Sequence, residues 1–397
     1  MVRYNDRDTN PDNISLCIFS ALYAPSMGGV ETYTESLAHA LADAGCMVTI
    51  ATMNTQNAKS YERDGNVEIV RLPALNVLGG RYPLPKRNAE YRAAMERLIK
   101  SRPSYVVVNT RFYPLSLTGL SFARKLGVVP VLVEHGSAHL AMGGRATSTI
   151  VEAVEHVMTV LDKLKHPTCY AVSKKASAWL DHFGITSAGE LPNAINADRY
   201  VANASQRDFR VELGIPADAL LVASAGRLIP EKGVLQLAQA AQMLEQRNAN
   251  VQVAIAGAGP LEGQLAAMNI PNVHLLGKLD RADLAALFTQ ADSYCLPSRS
   301  EGFATTLLET AACGTPAIVT NVGGTDELIP NASYGTIIGD MDPDSIADAL
   351  QNASSNREML KAQGMAVGKR VREICSWKRT AELTLTACKA AQNSKRR

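Results

Sequence analysis

Two carboxylates and two cations stand at spacings that suit a phosphorylated polyol. Glu301 and Glu309 are separated by seven residues in the stretch that runs from Ser298 to Gly314. The apolar run Tyr294-Cys295-Leu296 before them reads as a buried strand. Leu307, Leu308 and Ala311, ended by Gly314, read as a helix that Thr305 and Thr306 can cap. A strand, a loop and a helix N-terminus in series make an anion site, because the first backbone N–H groups lack intrahelical partners and the dipole favours negative charge. The carboxylates cannot bind an anion; their ligands are hydroxyl groups. A phosphate with polyols on either side describes a nucleotide sugar. Upstream, Gly226-Arg227-Leu228-Ile229-Pro230-Glu231-Lys232-Gly233 follows another apolar strand. As a sugar leaves a nucleoside diphosphate, charge builds on the β-phosphate. Arg227 offers it a planar fork and Lys232 a point charge.

These residues need strands that end side by side. Short β-branched runs at 14–19, 47–52, 67–72, 105–109, 129–134 and 169–173 alternate with helical patterns in the first half, and runs at 220–225, 251–256, 273–276, 294–296 and 316–320 do so in the second. Such alternation predicts α/β architecture: two doubly wound parallel sheets, with ligands gathered at the C-terminal strand ends. Gly28-Gly29 and His135 stand at two such ends in the first half. The glycine pair reads either as a turn needing unusual φ/ψ or as a close backbone approach to phosphate. The apolar stripe Val151, Val154, Val157, Met158, Leu161, Leu164 is expected to face the core of the first domain. Texture changes at Pro192-Asn193, so domains are expected at 1–192 and 193–376, with a last helix, 377–397, returning to the first.

The Glu301/Glu309 stretch resembles the signature of the family 4 retaining glycosyltransferases of the GT-B fold, in which two Rossmann-like domains face across a cleft. Gly226–Gly233 resembles that family's phosphate clamp, Gly28-Gly29 its glycine-rich loop, and His135 its active-site histidine near the donor sugar. The resemblance implies that His135, Arg227, Lys232 and Glu301 carry the chemistry. It implies that Glu301 binds sugar hydroxyls with backbone amides near Phe303 and Ala304, that Thr305 and Thr306 add amides to the phosphate, and that Glu309 takes the ribose. The base would lie by Gly277, Lys278 and Leu279. The implied activity is retaining transfer of a hexose from a UDP-, GDP- or ADP-sugar to a glycan, lipid-linked or small-molecule acceptor, in cell-surface polysaccharide or glycolipid synthesis, with no cofactor and no metal. In place of the family's Pro-Asn-Gly-(Val/Ile)-Asp element the chain reads Pro192-Asn193-Ala194-Ile195-Asn196.

Composition narrows the alternatives. A net charge of +2 and 5% aromatic content give no surface for nucleic acid. Seven scattered cysteines, without a Cys-x-x-Cys, suggest a reducing compartment and no zinc knuckle. No leader-like or membrane-spanning run is evident, so a cytoplasmic protein is expected. The segment 81–102 carries seven basic residues against two acidic ones. It reads as a solvated surface helix or as a face resting on anionic lipid at the inner membrane surface. Rival functions are a nucleotide-sugar epimerase, a synthase on a free phosphorylated sugar, a two-lobed binding protein, and a nicotinamide-dependent oxidoreductase. The last rests on Gly257-Ala258-Gly259-Pro260-Leu261-Glu262, which has Glu where a third glycine belongs.

Overall fold

The computed structural model describes residues 14–26, 28–77, 80–139 and 145–394. Met27 of the first loop, the polar N-terminal stretch 1–13 and the basic tail 395–397 lie outside the described residues. The chain forms two compact units. One takes the chain to Val172 with Ala176–Asn193 and the helix from Trp377, and the other takes Ser173–Lys175 and Ala194–Ser376.

The first unit holds strands β1 (Ser15–Ser20), β2 (Met47–Asn54), β3 (Tyr61–Asp64), β4 (Val67–Val77), β5 (Tyr82–Pro85), β6 (Tyr105–Asn109), β7 (Val131–Glu134) and β8 (Thr168–Ala171). Its sheet order is β3-β4-β2-β1-β6-β7-β8, with β5 on β4. Strands β1, β2, β4, β6, β7 and β8 are parallel and apolar on both faces, as a sheet covered by helices requires. Strands β3 and β5 pair antiparallel with β4, which the expectation of a wholly parallel sheet missed. Tyr61-Glu62-Arg63-Asp64 is polar and half exposed, an edge hairpin arm whose composition gives no buried-strand signal.

The second unit holds β9 (Leu220–Ala225), β10 (Val251–Ala256), β11 (Val273–Gly277), β12 (Ser293–Leu296), β13 (Ala317–Thr320) and β14 (Thr336–Ile338), in the order β11-β10-β9-β12-β13-β14 and all parallel. Read from its first strand, this is the doubly wound 3-2-1-4-5-6 order, which reverses direction between β9 and β12. Ligands bind at such reversals, and Arg227 follows β9 while Glu301 follows β12.

The helix Arg145–Lys163 overturns one expectation. Val157 is 61% and Leu164 59% exposed, and Val154 and Leu161 are also exposed, while Glu155, Thr159 and Asp162 are buried. Periodicity locates an apolar face but does not say which face the fold covers. Here the inward face is chosen by a buried arginine, described below.

Candidate active site

In the second unit the loop after β9 is clamped from both sides by glycines. A Cβ on Gly257 would lie 1.8 Å from the Gly226 carbonyl oxygen, and one on Gly259 would lie 2.5 Å from that of Leu228. Gly226 N–H donates to Ala256 O, and Leu228 N–H to Ala258 O. The Gly257-Ala258-Gly259 stretch is therefore spent on packing one loop against another, which removes the feature that suggested a dinucleotide fingerprint. Gly233, at φ +68°, closes the other end, since a Cβ there would lie 2.2 Å from Pro297 O. Arg299 N–H donates to Glu231 O, at 2.8 Å.

These contacts bring Lys232 beside the loop after β12. Lys232 Nζ donates to Glu301 Oε1, and Ser298 Oγ donates to the same oxygen at 2.8 Å. Gly323 N–H donates to Glu301 O, and Ala304 N–H to Gly323 O. A Cβ on Gly323 would sit 2.1 Å from Gly302 O, so a second glycine pair, Gly323-Gly324 after β13, braces the Glu301–Ala304 turn. Sequence reading assigned no role to that pair or to Ser298; a Gly-Gly two residues beyond an apolar strand was the signal for the first.

The helix that follows is Thr305–Ala312, and its N-cap is Ala304, which has no side chain able to cap. The expectation that Thr305 or Thr306 caps it is corrected: both lie inside the helix, and Thr306 Oγ1 accepts from the buried Tyr294 hydroxyl at 2.7 Å. An uncapped pole leaves its first N–H groups for a ligand. Phe303 and Ala304 are buried at this turn. The Glu309 carboxylate makes no hydrogen bond among the described residues, and burial lifts it to about 7 against the opposing charge of Arg281. Near it lies the buried Tyr200 hydroxyl, which also lacks a partner and whose pKa is raised by burial and then by Glu309. Tyr200 rides on the helix Ala197–Ala202, whose N-cap Asn196 accepts from Arg199 N–H at 3.1 Å. Asn caps as well as Asp does, so the departure at Asn196 keeps this helix start intact. Tyr200 carried no recognisable motif.

Arg227 is exposed and makes no side-chain hydrogen bond or ion pair among the described residues. Gly277 ends β11 at φ +63° and its carbonyl accepts from Gly257 N–H at 2.7 Å, with exposed Lys278 and half-buried Leu279 next. All these segments leave the same sheet edge.

In the first unit, Gly28 is extended at φ −172° and caps the helix Gly29–Asp43. Gly29 is that helix's first residue, so neither glycine meets the reading that an unusual conformation is required. Nothing lies within 4 Å of a Cβ built on Gly29, which leaves its backbone open to close approach. Glu31 places its carboxylate at this helix start, bonded to its own N–H, and burial raises its pKa.

His135 follows β7 and lines a cavity of about 190 Å³ together with Glu31, Thr110, Arg111, Tyr113 and Glu134. Burial lowers the imidazole to about 3 and so keeps it neutral. Asn109 Nδ2 donates to Thr34 Oγ1 at 2.8 Å, which leaves Asn109 Oδ1 to accept from His135 Nε2–H at 3.3 Å. Nδ1 is then the ring's acceptor. The Tyr33 ring meets His135 edge-on at 4.7 Å and Trp377 at 5.5 Å, and its hydroxyl donates to Leu191 O.

Beside His135 lies a buried ionic cluster that the sequence did not announce. Arg111 is 1% exposed and pairs with Glu134 and Glu155, each at 2.5 Å, while donating to Thr159 Oγ1 at 2.8 Å and covering the Phe183 ring at 3.6 Å. Thr110 and Phe112 on either side are left-handed, at φ +67° and +66°. A β-branched residue there is strained, and the ion pairs hold it. Asp162 accepts from Phe112 N–H, and burial raises its carboxyl to about 7. Arg111 and the Phe112 N–H thus turn Glu155, Thr159 and Asp162 inward and leave the valines of their helix outside.

Comparison with known proteins settles the class. Residues 28–226 match the family model described as glycosyl transferase 4-like domain, and residues 205–370 match glycosyl transferases group 1. The chain is a glycosyltransferase of this family. The glycosyltransferase is 25% identical, over 89% of its length and 92% of the relative's, to the GDP-mannose-dependent monoacylated alpha-(1-6)-phosphatidylinositol monomannoside mannosyltransferase of Corynebacterium glutamicum. It is 26% identical, over 93% of its length and 94% of the relative's, to the D-inositol 3-phosphate glycosyltransferase of Paenarthrobacter aurescens. Its fold matches sucrose-phosphate synthase from Thermosynechococcus elongatus at a TM-score of 0.74, with 20% identity, 96% of this chain and 100% of that chain covered. It also matches Anabaena HepE in complex with UDP and glucose at 0.68, with 15% identity, 95% of this chain and 100% of that chain covered. The GT-B architecture of the glycosyltransferase is thus that of its structural neighbours. Among the described residues no helix is long and apolar enough to cross a membrane.

Proposed function

We propose that this glycosyltransferase moves a hexosyl group, with retention of anomeric configuration, from a nucleoside-diphosphate sugar to a hydroxyl of a glycan, lipid-linked or small-molecule acceptor. One observation carries the reading: Lys232 and Glu301 meet where the second sheet reverses its strand order, at the foot of an uncapped helix that bears Glu309. Arg227, Lys232 and the Thr305 and Thr306 amides hold the diphosphate. Glu301, with the Phe303 amide, takes sugar hydroxyls, the expected Ala304 amide being spent on Gly323 O; Glu309 accepts from the ribose; the base lies along Gly277-Lys278-Leu279. His135 offers Nδ1 to a sugar hydroxyl, and Gly28-Gly29 gives backbone access. The acceptor oxygen bonds to the anomeric carbon on the face from which the diphosphate leaves, and its proton passes to a departing phosphate oxygen. The cations stabilise the charge that develops there, so the step needs no metal.

The names of the sequence relatives put GDP-mannose first among donors to test and inositol phosphates or phosphatidylinositol mannosides first among acceptors. A glycolipid acceptor would bring a cytoplasmic enzyme to the inner membrane surface. The helix Ala89–Ser101 buries Leu98 and keeps Arg92, Arg97 and Lys100 exposed, so the contact would be electrostatic; absence of co-sedimentation with phosphatidylglycerol vesicles would remove it. The deciding experiment is a thermal-shift panel of UDP, GDP, ADP and their sugars, followed by NMR of the anomeric centre in the product. One nucleotide should raise Tm. No shift with any nucleotide, or an inverted anomer, overturns the reading.

A further inference from the structure

Three histidines from three separate segments of the first unit converge: His139 after β7, His156 on the helix Arg145–Lys163, and His182 just after the helix Lys174–Asp181. One ring nitrogen from each lies within 4.8 Å of the other two. The ring centres are 5.6, 5.1 and 5.2 Å apart, a nearly equilateral triangle. Imidazoles bound tetrahedrally to one ion, with metal–nitrogen bonds of about 2.0–2.1 Å, hold their centres roughly 5 Å apart.

The surroundings fit the same chemistry. His139 Nδ1 pairs with Glu155 Oε2 at 2.7 Å, which turns Nε2 outward as a lone-pair donor. A carboxylate behind a histidine is the usual second contact of a metal ligand, since it fixes the tautomer and raises basicity. Glu155 is itself held by Arg111. The indole of Trp179 stacks on His182 at 4.8 Å and 3°, fixing that ring's plane. His156 and His182 are exposed, so an ion has a way in and a fourth position is left for water.

We propose that His139, His156 and His182 bind one late first-row divalent cation of the zinc class, at a site that adjoins the His135 cavity through Glu155 and Trp179, which line both. Three neutral nitrogens select Zn²⁺, Co²⁺ or Ni²⁺ over Mg²⁺, which prefers oxygen. The ion pins the segment after His135 to two helices of the same unit.

The test uses tag-free full-length protein, stripped with EDTA and offered Zn²⁺, Co²⁺ or Mg²⁺. One zinc per chain should survive gel filtration, Co²⁺ should give visible absorption of a tetrahedral complex, and Mg²⁺ should leave Tm unchanged. His156→Ala and His182→Ala, both at exposed positions, should each weaken zinc binding at least tenfold while circular dichroism stays native. Failure of the parent protein to retain zinc overturns the proposal, as does full retention by the His156→Ala/His182→Ala double variant. The readout is metal content, so it stands apart from whether transfer activity is found.

Discussion

Lys232 and Glu301 are ion-paired, each providing the other's counter-charge at the strand-order reversal of the second sheet. In the proposed roles, a donor at this site exchanges that partnership: the lysine turns to phosphate and the carboxylate to sugar hydroxyls.

Lys232→Ala should lower kcat by about 10²- to 10³-fold, the usual loss when one fixed stabiliser of developing charge is removed. Glu301→Gln should raise KM for the nucleotide sugar and leave the affinity for the bare nucleotide nearly unchanged. Steady-state kinetics beside nucleotide titrations separate the two; equal losses in both variants would count against divided roles.

Glu309 should make nucleotide binding rise with pH. Burial lifts its carboxyl to about 7, and in the proposed role the charged form accepts from both ribose hydroxyls. Affinity should grow between pH 6 and 8 in the parent and stay flat and weaker in Glu309→Gln. Stability runs the other way. Between the ordinary value of 4.5 and about 7 the folded state holds a proton that the unfolded chain has released, so stability falls as pH rises through that window. Melting curves at pH 5 and 8 should show a smaller fall in Glu309→Gln.

His135 is neutral in the fold and should not titrate in the rate profile between pH 5 and 9. Because its folded value, about 3, lies below the ordinary 6.5, the unfolded state binds the extra proton in between, and stability is lost as pH drops below 6.5. His135→Asn should blunt that acid loss and lower kcat at neutral pH. An acid limb in kcat that disappears in this variant would contradict a permanently neutral imidazole.

Gly233→Ala tests the placement of Lys232. The residue sits at φ +68° against Pro297 O, so a methyl group both strains the backbone and pushes the loop away. A stability loss of about 1–3 kcal/mol should accompany a fall in kcat larger than that of a distant loop glycine such as Gly65→Ala. Denaturant melts and turnover at saturating donor measure both.

Val157→Ala and Leu164→Ala should each change stability by less than about 0.5 kcal/mol, as exposed positions do, whereas Leu120→Ala in the buried core should cost about 2–5 kcal/mol.

The parts of this protein that sequence makes legible are those fixed by local rules. β-branched runs separated by helical periodicity gave the two parallel sheets, and the Glu301/Glu309 and Arg227/Lys232 spacings gave the segments that the second sheet brings to one edge. What escaped depends on partners distant in the chain. Gly257 and Gly259 look like a cofactor loop until the Gly226 and Leu228 carbonyls are found against them. The valines of the helix Arg145–Lys163 look like core until Arg111, more than forty residues away, claims the opposite face. Tyr200 and His182 carry no motif, because their meaning is created by Glu309, His139 and His156.

The helix Trp377–Ser394 packs on the first unit: Tyr33 meets Trp377, Thr380 donates to Pro192 O, and Gln392 exchanges two hydrogen bonds with Val129. During synthesis these residues emerge after the whole second sheet. The first unit therefore cannot complete its native packing until the residues of the second sheet and then this helix have left the ribosome. A nonsense codon near position 377 would leave the second sheet's residues complete and strip the first of a wall.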